Sequence, residues 1–292
     1  MPGERDPLRL PLLGSVREVA ARALASGALQ PIESHPCEVE DGGVRFSVRI
    51  ASPRAPRAAR EVADAGAPPR NPFLPYDEAL FVADLGPDHV CLLNKYPVLR
   101  DHLLITTRAF EEQEAPLRRG DFEATWRVLL ELDGLAFYNA GAIAGASQRH
   151  RHIQVVPTPL GRGPRRTPID PALDDARFDA AVGRTETLPF HHAVARLRVG
   201  PSSPPVVAAR ALHGLYCEMA RAFGCDRGGR PYNLLITRDW MLFVPRSREC
   251  WEGVSINALG FAGAILVRDE AQLTRLRAEG PLSALARVGV RP

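Results

Sequence analysis

Apolar positions along this chain fall into two periods, and the places where the period changes mark its elements. Residues 16–22 carry apolar and charged positions at helical spacing, with Ser15 placed to cap them and Glu18 placed three residues on as a capping-box partner. Gly42-Gly43 then introduces strict alternation over residues 44–50, the signature of a half-buried strand. Three short strand-like runs follow at residues 80–83, 89–93 and 102–106, punctuated by Gly86-Pro87 and Pro97. Phe122, Trp126, Leu129 and Leu130 return to helical spacing, predicting a helix from Asp121 to about Tyr138. Residues 139–148 read as a strand or turn and 150–156 as a strand. The second half repeats this vocabulary: a strand at 192–199, a helix marked by Leu212, Leu215, Tyr216, Met219 and Phe223 that stops at Gly224, and a hairpin of 232–237 with 241–245. Hairpins packed on helices favour an antiparallel α+β arrangement over alternating βαβ units.

Two stretches break the pattern. Residues 51–70 are rich in Ala, Pro and Arg and read as a solvated connection, with Arg54, Arg57 and Arg60 facing water more readily than a ligand. Residues 158–189 are rich in Pro, Arg and Asp, the length and composition of a surface insertion or lid. Three regions result: 1–70, 71–190 and 191–292. The segments 92–97 and 102–106 echo 233–237 and 243–246, as an internal duplication would, and as any two apolar hairpins would.

Composition narrows the function classes. With 45% hydrophobic and 24% charged residues, the 292-residue chain has the balance of a globular protein. A net charge of +3 is too small to argue for nucleic-acid binding. Five scattered cysteines without a Cys-x-x-Cys pair suit neither a disulfide framework nor a structural zinc site and fit a reducing compartment. No apolar run approaches the roughly 20 residues of a membrane span, and the first residues carry charges and prolines instead of a signal sequence. A cytoplasmic location is expected.

The chemistry concentrates at His150-Arg151-His152-Ile153-Gln154, entered from Gly145-Ala146-Ser147-Gln148. On a strand, His150, His152 and Gln154 share one face. A neutral imidazole attacks phosphorus well and gives a phosphoramidate that stays reactive. Donors for the nonbridging oxygens are close by: the Ser147 hydroxyl, the Gln148 amide and the backbone N–H groups of a Gly-Ala turn, with Asn139, Asn94 and Lys95 upstream. As a metal site, His-x-His supplies two ligands where zinc needs more. His191-His192 point to opposite faces of a strand and read as structural, as do Trp126, Trp240 and Trp251.

These segments together resemble the ATP adenylyltransferase (diadenosine tetraphosphate phosphorylase) family of the histidine-triad superfamily. The resemblance rests on 94–97, 102–106, 137–141, 145–148 and His150-x-His152-x-Gln154, with 232–235, 240–241, 244–246 and 255–263 behind them, in the family's order over about residues 71–270. It implies a HIT-like antiparallel sheet with packed helices over 71–190 and a C-terminal α+β extension over 191–292 that contributes to the site. It also implies reversible phosphorolysis: diadenosine tetraphosphate and phosphate give ATP and ADP through an adenylyl-histidine. His152 would be the nucleophile and His150 its orienting partner. Asn94, Lys95, Asn139, Gly145, Ala146, Ser147, Gln148, Asn257, Ala258, Leu259, Ala264 and Arg268 match ligand-binding positions, Arg268 where the family often has lysine. A divalent cation, magnesium, would accompany the polyphosphate, with no tightly bound cofactor and no resident metal. Nucleotides are the expected partners. An early basic ligand of the family has no lysine to match it in 51–60. Gln154 has its own reading: an amide positions but does not exchange protons, which favours transfer to phosphate over hydrolysis. A dinucleotide hydrolase, a metal-dependent phosphoesterase and a nucleotide-sensing module remain the alternatives.

Overall fold

The computed structural model describes residues 12–51 and 71–292. The basic stretch containing Arg54, Arg57 and Arg60 lies outside them. The first helix, α1 (Leu12–Ser26), buries Leu12, Val16, Val19 and Ala23 along one stripe. Leu12 already belongs to that stripe, so the helix starts before Ser15, which sits in its first turn and not at its cap. A hairpin follows, β1 (Ser34–Asp41) with β2 (Val44–Ala51).

A ten-stranded sheet dominates the molecule. Its strands are β3 (Phe81–Asp84), β4 (His89–Leu93), β5 (Leu103–Thr107), β6 (Gly134–Asn139), β7 (His152–Pro157), β8 (Arg177–Asp179), β9 (Val182–Arg184), β10 (Ala193–Arg196), β11 (Tyr232–Ile236) and β12 (Trp240–Pro245), in the spatial order β3-β4-β5-β7-β6-β11-β12-β10-β9-β8. Every neighbouring pair is antiparallel. The fold is α+β, as the hairpin pattern predicts.

Helix α2 (Arg119–Glu131) ends seven residues before Tyr138. The apolar run continues, but Gly134 onward forms β6, fully buried on both faces, where periodicity alone does not separate strand from helix. Asp121 accepts from the Arg118 N–H at 2.6 Å in the first turn, which places the helix start within two residues of the expected one. The 158–189 excursion is partly ordered by the helical turn α3 (Asp170–Asp174), β8 and β9. Helix α4 (Pro205–Ala222) packs against α2, and both lie with α1 on one sheet face.

The duplication is real in topology but not in the register that sequence similarity suggests. β5, α2, β6 and β7 are repeated by β10, α4, β11 and β12, with β7 and β12 each inserted between the other two strands. His152 and Trp240 open β7 and β12, and Pro157 and Pro245 close them. Leu103 faces Val155 as Ala193 faces Phe243, and Gly134 faces Pro157 as Tyr232 faces Pro245. The similar runs 102–106 and 233–237 therefore belong to non-equivalent strands. Trp240 and Leu242 stand where the first half has His152 and Gln154, so the second half keeps the scaffold without the imidazole and amide.

The other sheet face is roofed by the remaining elements: β13 (Cys250–Trp251), β14 (Val254–Ser255), α5 (Ala258–Phe261), β15 (Ala264–Val267), α6 (Glu270–Glu279) and α7 (Pro281–Val288). β15 runs parallel to β2, closing a small β1-β2-β15 sheet from opposite ends of the chain.

Candidate active site

His152 opens β7 on the roofed face, opposite Thr106 of β5, and Gln154 lies opposite Leu104. His150 precedes the strand and forms an isolated bridge with Glu112, so it does not continue the alternation. The two imidazoles are linked through the backbone: His152 Nδ1–H donates to the His150 carbonyl at 2.8 Å. That bond leaves Nε2 as the nitrogen with the lone pair. Burial pulls the His152 pKa down to about 4, against the raising effect of the bond to the His150 carbonyl, so the ring is neutral at pH 7. His150 is held at both nitrogens. Its Nε2 donates to the Thr107 carbonyl at 2.8 Å, and its Nδ1 lies 3.0 Å from the Asn71 amide nitrogen. The Phe73 ring packs on both imidazoles, with centroids 5.5 and 5.4 Å away.

His102 is a third imidazole on this face. Its Nε2–H donates to Gln154 Oε1 at 3.0 Å, and its Nδ1 accepts from the Asn94 amide at 3.2 Å. Burial lowers its pKa to about 4. Its position before β5 marks it only as a strand start in the sequence; the cross-strand pairing with β7 is what brings it to Gln154.

Asn139 ends β6 and is fixed by a chain of amides. Arg246 donates to Asn233 Oδ1 at 2.6 Å, and the Asn233 amide donates to Asn139 Oδ1 at 2.9 Å. The Ala258 N–H also donates to Asn139 Oδ1 at 3.0 Å. With Oδ1 accepting twice, Nδ2 is the end left over, buried and without a partner among the described residues. Thr106 Oγ1, on the residue facing His152, is likewise buried and unpartnered. Arg246 also donates to the Ala144 carbonyl of the Gly-Ala turn at 3.2 Å. Asn233 and Arg246 carry this network, yet their spacing in sequence, far from the histidines, does not by itself mark that role.

The turn places its donors differently from expectation. Gly145 N–H bonds the Ala142 carbonyl and Ala146 N–H bonds Gly141, so both are engaged within the turn. Gly145 has a φ of 91°, and a Cβ there would lie 2.8 Å from Asn257 Cβ. Glycine is required because the C-terminal segment passes directly over it. Ser147 is exposed and Gln148 half-buried.

A cavity of about 470 Å³ opens beside Gln154 and His102, between the sheet and the roof. Its wall includes Asn94, Gln154, Asn257, Leu259, Ala264 and Arg268 from the expected set. Asn139, Gly145 and Ala258 touch that wall from behind. Lys95 is not on it; its Nζ lies 5.9 Å from the Tyr96 ring centre. Arg49 of β2 is on the wall, a basic residue a few positions before the 51–60 stretch. The volume suits a small-molecule ligand of nucleoside size.

The sequence model of the Ap4A phosphorylase N-terminal domain matches residues 7–175, and that of the ATP adenylyltransferase C-terminal domain matches residues 186–291. The chain belongs to the Ap4A phosphorylase family. Diadenosine 5',5'''-P1,P4-tetraphosphate phosphorylase 2 of Saccharomyces cerevisiae is 32% identical over 235 residues, 70% of this chain and 71% of the yeast protein. Protein APA1 of the same yeast is 25% identical over 209 residues, 63% of each chain. The crystal structure of yeast Ap4A phosphorylase Apa2 aligns with a TM-score of 0.80 at 26% identity, over 96% of this chain and 98% of that one. Apa2 in complex with AMP shares the same fold, with a TM-score of 0.78, 24% identity and coverage of 97% and 98%. Membership of the Ap4A phosphorylase family makes the α+β scaffold with its C-terminal roof the expected one. Among the described residues no helix is long and apolar enough to cross a membrane, and no group of three His, Cys, Asp or Glu is placed to hold a metal ion.

Proposed function

We propose that this protein is an ATP adenylyltransferase that cleaves diadenosine tetraphosphate with inorganic phosphate, giving ATP and ADP. The observation that carries the reading is His152: a buried imidazole, neutral at pH 7, whose Nδ1–H is tied to the His150 carbonyl. Nε2 attacks the α-phosphorus, the bond from that phosphorus to the bridging oxygen breaks, and ATP leaves. A phosphate oxygen then attacks the same phosphorus, the P–N bond breaks, and ADP leaves with Nε2 restored.

The orphaned donors Asn139 Nδ2 and Thr106 Oγ1 are where the nonbridging oxygens find partners, since buried donors left unpaired cost about 1–3 kcal/mol each. The nucleoside occupies the cavity, with Asn94, Asn257 and Leu259 on its walls and Arg49 and Arg268 toward the phosphate chain. His150 orients the nucleophile through its carbonyl. Lys95 and the Ser147–Gln148 side of the turn serve the outer phosphates. Magnesium enters as part of the polyphosphate substrate, neutralising charge. The partners are nucleotides and phosphate, and the protein works in the cytoplasm.

Gln154 favours transfer over hydrolysis. Its Oε1 accepts from His102, and an amide has no proton to exchange with an attacking water. The test is product analysis of diadenosine tetraphosphate with and without phosphate, with α-labelled substrate to trap the adenylyl-enzyme. Label on His152, and ATP plus ADP only when phosphate is present, are the expected results. Equal rates of ATP plus AMP formation without phosphate would sink the transferase reading, and full activity of His152→Ala would sink the nucleophile.

A further inference from the structure

β6 and β7 are paired from Gly134↔Pro157 to Phe137↔Gln154, and there the ladder stops. Two residues further along the same register stand Asn139 and His152. The side chain of Gln113 occupies the opening. Its Oε1 accepts from the His152 N–H at 2.8 Å, and its Nε2 donates to the Asn139 carbonyl at 2.9 Å and the His152 carbonyl at 3.1 Å. Gln113 is itself buried and held: its N–H donates to the Arg149 carbonyl, and its carbonyl accepts from the Tyr138 hydroxyl.

The molecule contains its own comparison. In the second half the equivalent strands β11 and β12 stay paired to their ends, down to Ile236↔Met241, and a tight turn joins them. The Thr237 N–H carries the ladder one step further to the Trp240 carbonyl at 2.9 Å, and the Thr237 hydroxyl accepts from the Trp240 N–H at 3.1 Å, so among the described residues no side chain from another segment bridges the two strands, and that half carries Trp240 and Leu242 in place of His152 and Gln154. The strands are thus split only in the half that has the chemistry. A strand pair left closed puts facing residues at ladder spacing, about 4.5–5.5 Å between Cα atoms, too near for a tetrahedral phosphorus between a side chain on one strand and a donor on the other.

We propose that Gln113 is a positioning residue for adenylyl transfer: its amide replaces the missing ladder bonds, and so sets the separation and direction of His152 and Asn139 across the reacting phosphorus. The proposal rests on the adenylyl-histidine reading. Gln113 touches no substrate; it acts through the backbone of the two residues that do. The amide is needed at both ends, because only a group that accepts and donates can serve an N–H and two carbonyls.

The experiment is rapid-quench formation of labelled adenylyl-enzyme from α-labelled diadenosine tetraphosphate, comparing wild type with Gln113→Met and Gln113→Glu, alongside AMP affinity and thermal unfolding. Gln113→Met keeps the length and loses every polar contact; Gln113→Glu keeps the acceptor and loses the donors. The expected result is a burst rate lower by about 100-fold in Gln113→Met, the scale of a misplacement of roughly 1 Å. Its burst amplitude per folded molecule and AMP affinity should stay within about threefold of wild type, because the cavity wall is untouched. A residue that serves only folding would lower amplitude and unfolding temperature and leave the burst rate alone; that result overturns the proposal. Should Gln113→Met not fold, the burst rate of Gln113→Glu decides, and a wild-type rate there overturns it equally. Wild type that takes up no label at all overturns the adenylyl-histidine reading and not the role of Gln113 alone.

Discussion

At the residue scale the site runs on imidazoles kept neutral by burial. His152 and His102 both have pKa values lowered to about 4 from an ordinary 6.5. In the unfolded chain they take up protons near pH 6.5, and in the folded protein only near 4. The unfolded state therefore binds more protons across that window, and stability falls as pH drops from 6.5 to 4. The loss is roughly 3 kcal/mol for each imidazole if independent. Denaturant midpoints across pH 4–7 should show this slope, and His102→Asn should remove about half of it. Nucleophile protonation also belongs to this window, so the burst rate should hold down to about pH 5 and fall below it. Thr106→Val makes a prediction of opposite signs. Removing an orphaned hydroxyl should raise stability by about 1 kcal/mol, while turnover falls up to about tenfold for want of a donor. Turnover at the wild-type level would mean that Thr106 Oγ1 has no substrate partner. The histidine row itself was readable from sequence because catalytic residue types cluster there. Thr106, His102 and Gln113 were not, because their importance comes from facing His152 or its strand across hydrogen bonds to distant segments.

At the element scale the decisive piece is the connection between β6 and β7. Twelve residues there pass through Gly141 and Gly145, both at positive φ, before returning as β7. Gly145→Ala adds about 1–2 kcal/mol of left-handed strain and pushes a methyl into Asn257. Its KM for diadenosine tetraphosphate should rise several-fold and its unfolding temperature should drop. Unchanged KM with a lowered unfolding temperature would show that the Gly145–Asn257 approach serves packing alone. Strand order and hairpins were legible from alternation and turn residues. The length of α2 was not, since the buried run 134–139 presents apolar side chains on both faces and carries no period to distinguish helix from strand. Nor was the true repeat, since apolar β5 resembles apolar β11 more closely than it resembles its topological equivalent β10.

At the scale of the whole molecule, the two halves share one sheet through the β6–β11 pair, where Asn139 faces Asn233. The β9–β10 contact also crosses from 71–190 to 191–292. A chain cut after Pro189 should therefore give two fragments without cooperative unfolding when expressed singly, and recovered transfer activity when they are mixed. A cooperative transition from either fragment alone would show that it carries a core of its own.

The pairing of β15 with β2 has a consequence in time. Residues 264–267 complete a sheet begun at residue 34 and form one wall of the cavity. A ribosome releases the histidines more than a hundred residues before that wall exists. Throughout that interval the growing chain holds its imidazoles beside a cavity that lacks one wall. Parallel docking of one late strand thus ties completion of the ligand cavity to the last tenth of the chain to emerge.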